Sequence, residues 1–197
     1  MYRVRKGPVI AVALVVGFLF FYFSPWDVSS SVMGTQSRKV EEIYGLLHLV
    51  TSDVPETEHV LSGPQLDPTQ KLDLQVYAAG SELNWTKQAN HIDKAHPIVV
   101  FSKSYCPYSK RAKALLKSYD ITPPPKIIEV DLRDDGNVIK QLLTRMTGHS
   151  TFPNIIVQGK TIGGSDNLMA LHASKELRTI IENAGAKPRG DGPEVVL

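Results

Sequence analysis

Apolar residues are distributed along this chain in three successive patterns. The first is a run without charge over 7–26, almost wholly apolar from Val9 to Phe23. Its twenty residues, at about 1.5 Å each, cover about 30 Å, the thickness of a bilayer core. The run predicts a transmembrane helix over 7–26. Arg3, Arg5 and Lys6 precede it and Asp27 follows. The excess of basic residues before the run puts residues 1–6 in the cytoplasm and the rest of the chain across the membrane. Tyr22 and Trp26 suit the far interface, where aromatic rings gather. A cleaved signal peptide is the alternative, with Val28, Ser29 and Ser30 as a small-residue cleavage site, but such peptides carry apolar regions of about 7–15 residues. Either route delivers the remaining chain to the secretory lumen.

The second pattern spans 27–75. Val40, Ile43, Tyr44, Leu47 and Val50 recur at helical spacing and predict an amphipathic helix over 36–50. Pro55, Gly63, Pro64 and Pro68 then break it. The expectation is a luminal stem helix followed by an extended linker. Its apolar face is a candidate contact for a homodimer, packs on the main domain, or packs nowhere and frays, since a short helix is marginal alone.

From about 76 the pattern alternates between helix and strand. A helix is expected over 81–94. Residues 97–102 form a short continuous apolar run, as a buried strand does. A helix over 107–119 turns Ala112, Leu115 and Leu116 inward and ends before Pro123, Pro124 and Pro125. A strand follows over 127–131. The next helix, 135–147, places Val138, Leu142, Leu143 and Met146 on one face and closes at Gly148. Strands over 154–157 and 160–162, joined by Gln158-Gly159, read as a hairpin. Ser165 is positioned to cap a last helical stretch through Leu168, Leu177 and Ile181. Residues 186–197, rich in Gly, Pro and charge, read as a disordered tail. The layout is α/β: a mixed sheet of about four strands flanked by helices over 76–185.

Charge excludes one class of partner. The chain carries 22 basic and 20 acidic residues, and setting aside Arg3, Arg5 and Lys6 leaves 19 basic residues. A phosphate-binding surface needs a clustered excess of Lys and Arg, so nucleic acid is not expected.

There is one cysteine, Cys106. It cannot close an internal disulfide or supply the paired thiols of a common zinc site, so any thiol chemistry recruits a second sulfur from outside. Cys106 follows a predicted strand and precedes Pro107, and proline favours the first position of a helix. The cysteine therefore falls at a helix N-terminus, where exposed N–H groups and the dipole favour an anion. Such positions lower a thiol pKa. Lys103, Lys110 and Arg111 add positive charge nearby. A buried, inert cysteine fits this setting poorly.

Three motifs in register carry a resemblance. Lys103-Ser104-Tyr105-Cys106-Pro107-Tyr108-Ser109 resembles the glutaredoxin active site, in the form with serine where the second cysteine usually stands. Thr147-Gly148-His149-Ser150-Thr151-Phe152-Pro153 resembles the family's segment ending in Thr-Val-Pro, and Gly163-Gly164-Ser165-Asp166 resembles its paired-glycine motif. With the basic N-terminus, anchor and linker, the chain resembles the monothiol glutaredoxins of the fungal secretory pathway. The resemblance implies a thioredoxin-like fold and a glutathione-dependent thiol–disulfide oxidoreductase with Cys106 as nucleophile. Glutathione is then the co-substrate, and glutathionylated protein thiols are the partners.

The resemblance also implies roles for single residues. Lys103 and Tyr108 help hold glutathione. Thr151 pairs with the tripeptide by backbone beside Phe152 and a cis Pro153. Gly164, Ser165 and Asp166 receive the glutamyl end, with Asp166 facing its ammonium. His149 stands where the family often has Gln. The alternative is a glutathione-ligated [2Fe–2S] dimer with Cys106 as a cluster ligand. The site lacks the Cys-Gly-Phe-Ser pattern of dedicated cluster carriers, and Pro107 stiffens the loop beside the ligand, so no metal is expected. Asn84-Trp85-Thr86 is a candidate glycosylation sequon. The expected location is the endoplasmic reticulum or Golgi, as a single-pass type II membrane protein with a luminal catalytic domain.

Overall fold

Strand β1 (Ile98–Ser102) is buried along all five residues, because its apolar run leaves no face for water. It lies inside a four-stranded sheet of order β3-β1-β4-β5, with β3 at Lys126–Glu129, β4 at Asn154–Val157 and β5 at Lys160–Gly163. It runs parallel to β3 and antiparallel to β4, and β4 is antiparallel to β5. This is the mixed sheet expected from the sequence, in a thioredoxin-like arrangement. The computed structural model describes residues 40–52, 61 and 66–193.

The pleat of β1 divides two cores. Val99 and Phe101 join one core with Ile128, Ile139, Leu142, Leu143 and Ile156. Ile98 and Val100 join the other with Leu115, Leu116, Ile155, Leu168 and Leu177. Alternate residues of a strand point to opposite faces, so a continuous apolar strand must be covered on both. Helices α2 (Trp85–Ala95) and α4 (Gly136–Thr147) cover the first face. Helices α3 (Pro107–Ser118), α5 (Ser165–Ala173) and α6 (Glu176–Asn183) cover the second.

The expected stem is part of this domain. Helix α1 (Ile43–Thr51) buries Ile43, Tyr44, Leu46, Leu47, Leu49 and Val50, all in the first core. Leu46 and Leu49 lie outside the single stripe read from the sequence, so the helix is enclosed on more than one side. Of the three options for this face, packing on the main domain is the one seen: the candidate homodimer contact is covered by the chain itself. Glu42, also buried, accepts two hydrogen bonds from Arg145, at 2.9 and 2.6 Å, and one from the Tyr77 hydroxyl at 2.8 Å. The Leu72 N–H donates to the same carboxylate at 3.1 Å. Tyr77 lies in the same core, and Val40, Leu66, Leu72 and Val76 pack against it, so the packing reaches residues that precede the expected domain start at 76.

Several element ends differ from expectation. Helix α2 starts at Trp85 rather than 81, because Asn84 caps it by accepting the Lys87 N–H at 3.0 Å. Strand β3 stops at Glu129 and continues as a single 3-10 turn, Val130–Leu132. Helix α4 closes at Gly148 in the left-handed region, φ 70°, as predicted. The β4–β5 turn places both Gln158 and Gly159 at positive φ, 45° and 74°, which matches the right-handed twist of a tight hairpin. Gly159 has a second constraint: a side-chain carbon there would meet the Tyr44 ring at 2.8 Å.

The last helical stretch is two helices, broken where Lys175 turns left-handed at φ 64°. The described part of the expected disordered tail, residues 186–193, makes specific backbone contacts with the domain. Lys187–Pro188 forms strand β6, paired antiparallel with β2 (Ile121–Thr122). The Arg189 and Gly190 N–H groups donate to the Tyr119 carbonyl at 3.0 and 2.9 Å. Those bonds satisfy backbone that a free tail would leave to water. The predicted anchor over 7–26 and the cytoplasmic segment 1–6 lie outside the described residues, among which no helix is long and apolar enough to cross a membrane.

Candidate active site

Cys106 occupies the N-cap of α3, with Pro107 at the first helical position. The sequence folds this way because proline's fixed φ suits a helix start and its missing N–H is not needed there. The thiol is partly exposed. Burial alone pushes its pKa up. The Ser109 N–H and hydroxyl, the Tyr108 N–H and the charge of Lys103 outweigh that effect and hold it below the ordinary thiol value. The sulfur lies 3.7 Å from the Phe152 carbonyl oxygen.

Ser109, one turn into the helix, is completely buried. Its hydroxyl accepts the Lys103 N–H at 3.2 Å. The acceptor side of the hydroxyl is therefore engaged by backbone, leaving its proton for the sulfur. The approach loop is pinned from the other side. Asp131 accepts the Ser104 N–H at 2.8 Å and the Ser104 hydroxyl at 2.5 Å. The Ser104 hydroxyl and N–H bonds, with Lys103 nearby, outweigh desolvation and hold the Asp131 carboxyl below its usual range.

The ends of the two central strands bring the remaining residues together. Lys103 Nζ stands 5.4 Å from the Phe152 ring centroid and 5.7 Å from that of Tyr105. The Phe152–Pro153 peptide is cis. Thr151 is exposed, and its hydroxyl lies 3.2 Å from His149 Nε2. The same nitrogen lies 3.2 Å from the Pro153 carbonyl oxygen. A side-chain carbon on Gly164 would meet that nitrogen at 3.0 Å and that oxygen at 3.2 Å, so the paired-glycine loop seats directly on the proline loop. His149 acts here as a joint between the two loops.

Gly164 takes the N-cap of α5, not Ser165. The Gly164 N–H donates to the Asn167 side chain at 3.1 Å. Ser165, at the first helical position, accepts a hydrogen bond from Arg111 Nε at 2.8 Å instead. Arg111 also pairs with Asp166, and its guanidinium lies 5.5 Å from the Tyr108 ring centroid. In the sequence Arg111 signals only positive charge near the thiol. Its link to residues 165 and 166 is long-range, and local spacing does not signal it. Every residue expected to touch glutathione is therefore in this one cluster. Asn84 is not in it; it is exposed at the start of α2.

Chemically the arrangement offers a partly exposed thiol with a lowered pKa, a nearby cation, exposed aromatic rings at Tyr105 and Tyr108, a cis-proline loop and a helix N-terminus. Residues 98–162 match the Glutaredoxin family model. The chain is similar to monothiol glutaredoxin-S6 of Oryza sativa subsp. japonica, 40% identical over 44% of this chain and 65% of that protein. It is also similar to glutaredoxin-C6 of the same plant, 41% identical over 46% of this chain and 79% of the relative. A crystal structure of a buckwheat glutaredoxin–glutathione complex is 36% identical, with 51% of this chain and 90% of that one covered and a TM-score of 0.46. For three of the curated relatives the match spans 62–65% of their length, just under two thirds.

Proposed function

The chain belongs to the glutaredoxin family, and from that premise we propose that it exchanges glutathione with mixed disulfides through Cys106 alone. One observation carries the monothiol step. The only cysteine of the chain sits partly exposed at a helix N-terminus with a lowered pKa, while the position one turn on holds a buried serine. The Cys106 thiolate attacks the glutathione sulfur of a mixed disulfide. The sulfur–sulfur bond breaks and the target sulfur leaves as a thiolate. A second glutathione thiolate then attacks the enzyme-bound glutathione, releasing glutathione disulfide and restoring the Cys106 thiolate. No second protein sulfur enters the cycle, so two-cysteine protein disulfides are poorer substrates.

In this reading Lys103, Tyr108, Thr151, Phe152 and Pro153 line the tripeptide, and Gly164, Ser165 and Asp166 take its glutamyl end. Their convergence around Cys106 supports it. The uncharged run over 7–26 with Arg3, Arg5 and Lys6 before it supports a luminal catalytic domain on a single membrane anchor, in the endoplasmic reticulum or Golgi. Glutathione-linked turnover of a small mixed disulfide by the full chain, against Cys106→Ser, tests the activity. The wild-type chain turns over and the variant does not. Equal rates from both would remove Cys106 from the reaction. The full chain is required because α1 is part of the core.

A further inference from the structure

We infer that Arg111 reads the α-carboxylate at the glutamyl end of glutathione, giving up Asp166 to the substrate ammonium as it does so. The inference rests on the glutathione reading above and adds a specificity-determining residue to it.

Arg111 bridges two parts of the site. Its Nε donates to the buried Ser165 hydroxyl at 2.8 Å, its terminal nitrogen pairs with Asp166, and its guanidinium carbon lies 5.5 Å from the Tyr108 ring centroid. The Ser165 bond and the ring contact fix the guanidinium beside the first turn of α5. The Asp166 contact is the exchangeable one: that side chain is 83% exposed and Arg111's is 44% exposed, and exposed ion pairs are weakly held.

The glutamyl end carries an ammonium and a carboxylate on one carbon. Asp166 is the carboxylate suited to that ammonium, yet Arg111 occupies it. Two cations cannot both be satisfied by one exposed acid unless a second anion arrives. The substrate brings that anion on the same carbon. The first-turn N–H groups of α5 favour it, and the planar fork of the guanidinium matches a carboxylate in two directions. Binding thus exchanges one ion pair for two, ammonium on Asp166 and carboxylate on Arg111. A strut that merely tied α3 to α5 would give the same resting contacts without discriminating between substrates.

The test uses the full chain and mixed disulfides of one small thiol with three tripeptides. These are glutathione, 4-aminobutyryl-cysteinylglycine, which lacks the α-carboxylate, and glutaryl-cysteinylglycine, which lacks the ammonium. Arg111→Gln lowers kcat/KM on glutathione about tenfold, the scale of one lost charged hydrogen bond. It changes the carboxylate-free substrate by no more than about twofold, the scale of an exposed contact. Asp166→Asn shows the converse selectivity, sparing the ammonium-free substrate. Arg111→Lys, which keeps charge and loses the fork, falls between, and carries the test on the same three substrates if Arg111→Gln does not fold. An equal loss on all three substrates, or none on glutathione, overturns the inference while leaving the glutathione reading intact. A wild-type chain inactive on the glutathione mixed disulfide overturns that reading, and this inference with it.

Discussion

Arg145 grips Glu42 through two hydrogen bonds across 103 positions of the chain. It joins the start of helix α1 to the middle of the glutaredoxin domain, and Tyr77 and the Leu72 N–H complete the shell. The Glu42 side chain is 6% exposed and that of Arg145 is 23% exposed, so removing one partner leaves the other charge poorly solvated. Glu42→Gln is expected to cost about 2 kcal/mol, below the value for a fully buried pair. Thermal unfolding of the full chain measures it, and a change within about 0.5 kcal/mol would class the pair as ordinary surface.

The same network sets an acid dependence. Burial raises the Glu42 pKa, but the bonds from Arg145, Tyr77 and Leu72, with the charge of Arg145, hold it below its ordinary value of 4.5. A group with a depressed folded pKa stabilises the fold above its unfolded pKa and loses that contribution as pH falls through the folded one. Stability therefore drops more steeply below pH 4.5 in the wild type than in Glu42→Gln. Parallel melting-temperature curves for the two proteins would show that Glu42 is not the group titrating.

Ser109 is one of the groups that hold the Cys106 pKa below its ordinary value. The serine hydroxyl accepts the Lys103 N–H at 3.2 Å and contributes to the lowered thiol pKa. Alkylation rate against pH should give a midpoint below the free-thiol value of about 8.5. Ser109→Ala removes one of the groups that lower it and should move the midpoint upward, toward the free value. It also leaves the Lys103 N–H without its acceptor. A wild-type midpoint at or above the free value would refute the helix N-terminus argument.

How much of this was legible depended on distance along the chain. Residues 97–102 and Cys106-Pro107 announce a buried strand and a helix start through local rules; the strand begins one residue later, at Ile98, and the helix starts at Pro107. Helix α1 was legible as a helix, with packing on the main domain as one of three open options. Leu46 and Leu49 are buried in a core whose other members include residues far along the chain, such as Leu142 and Ile156. Strand β6 is two residues, Lys187 and Pro188, with no apolar signature; only its pairing with β2 makes it a strand. Arg111 reads locally as one more positive charge, and its contact with Ser165 spans 54 positions. The motifs located the site, and tertiary contacts supplied its wiring.

Topology is testable at Asn84. The residue is exposed and its Oδ1 caps α2, so a glycan on its Nδ2 would leave the cap in place. If the domain is luminal and the sequon is used, glycosidase treatment lowers the mass of the protein. Asn84→Gln would remove both glycan and cap, at about 1 kcal/mol for the cap. Thr86→Ala removes the sequon alone and is the cleaner variant. Protease protection in sealed microsomes decides the orientation directly: the domain survives until detergent is added. Digestion in intact vesicles would refute the luminal assignment.

Ser109 also marks where a resolving thiol is missing. It lies three residues after Cys106, in the first turn of α3, and the two side chains meet closely enough for the serine hydroxyl to influence the sulfur. Residues at that helical spacing are neighbours, and bridgeable cysteines need Cα atoms within about 7 Å. Ser109→Cys should therefore close an internal disulfide under oxidising glutathione. The new thiol would compete with glutathione for the Cys106 mixed disulfide. Reduction of protein disulfides should improve, and turnover of small glutathione mixed disulfides should slow as enzyme is diverted into the closed form. Mass spectrometry after alkylation counts the free thiols. Two free thiols under oxidising conditions would show that the side chains cannot reach each other, because Ser109 is buried too deeply to follow the sulfur out. A closed form with unchanged small-substrate turnover would instead place glutathione release, rather than diversion, in control of the rate.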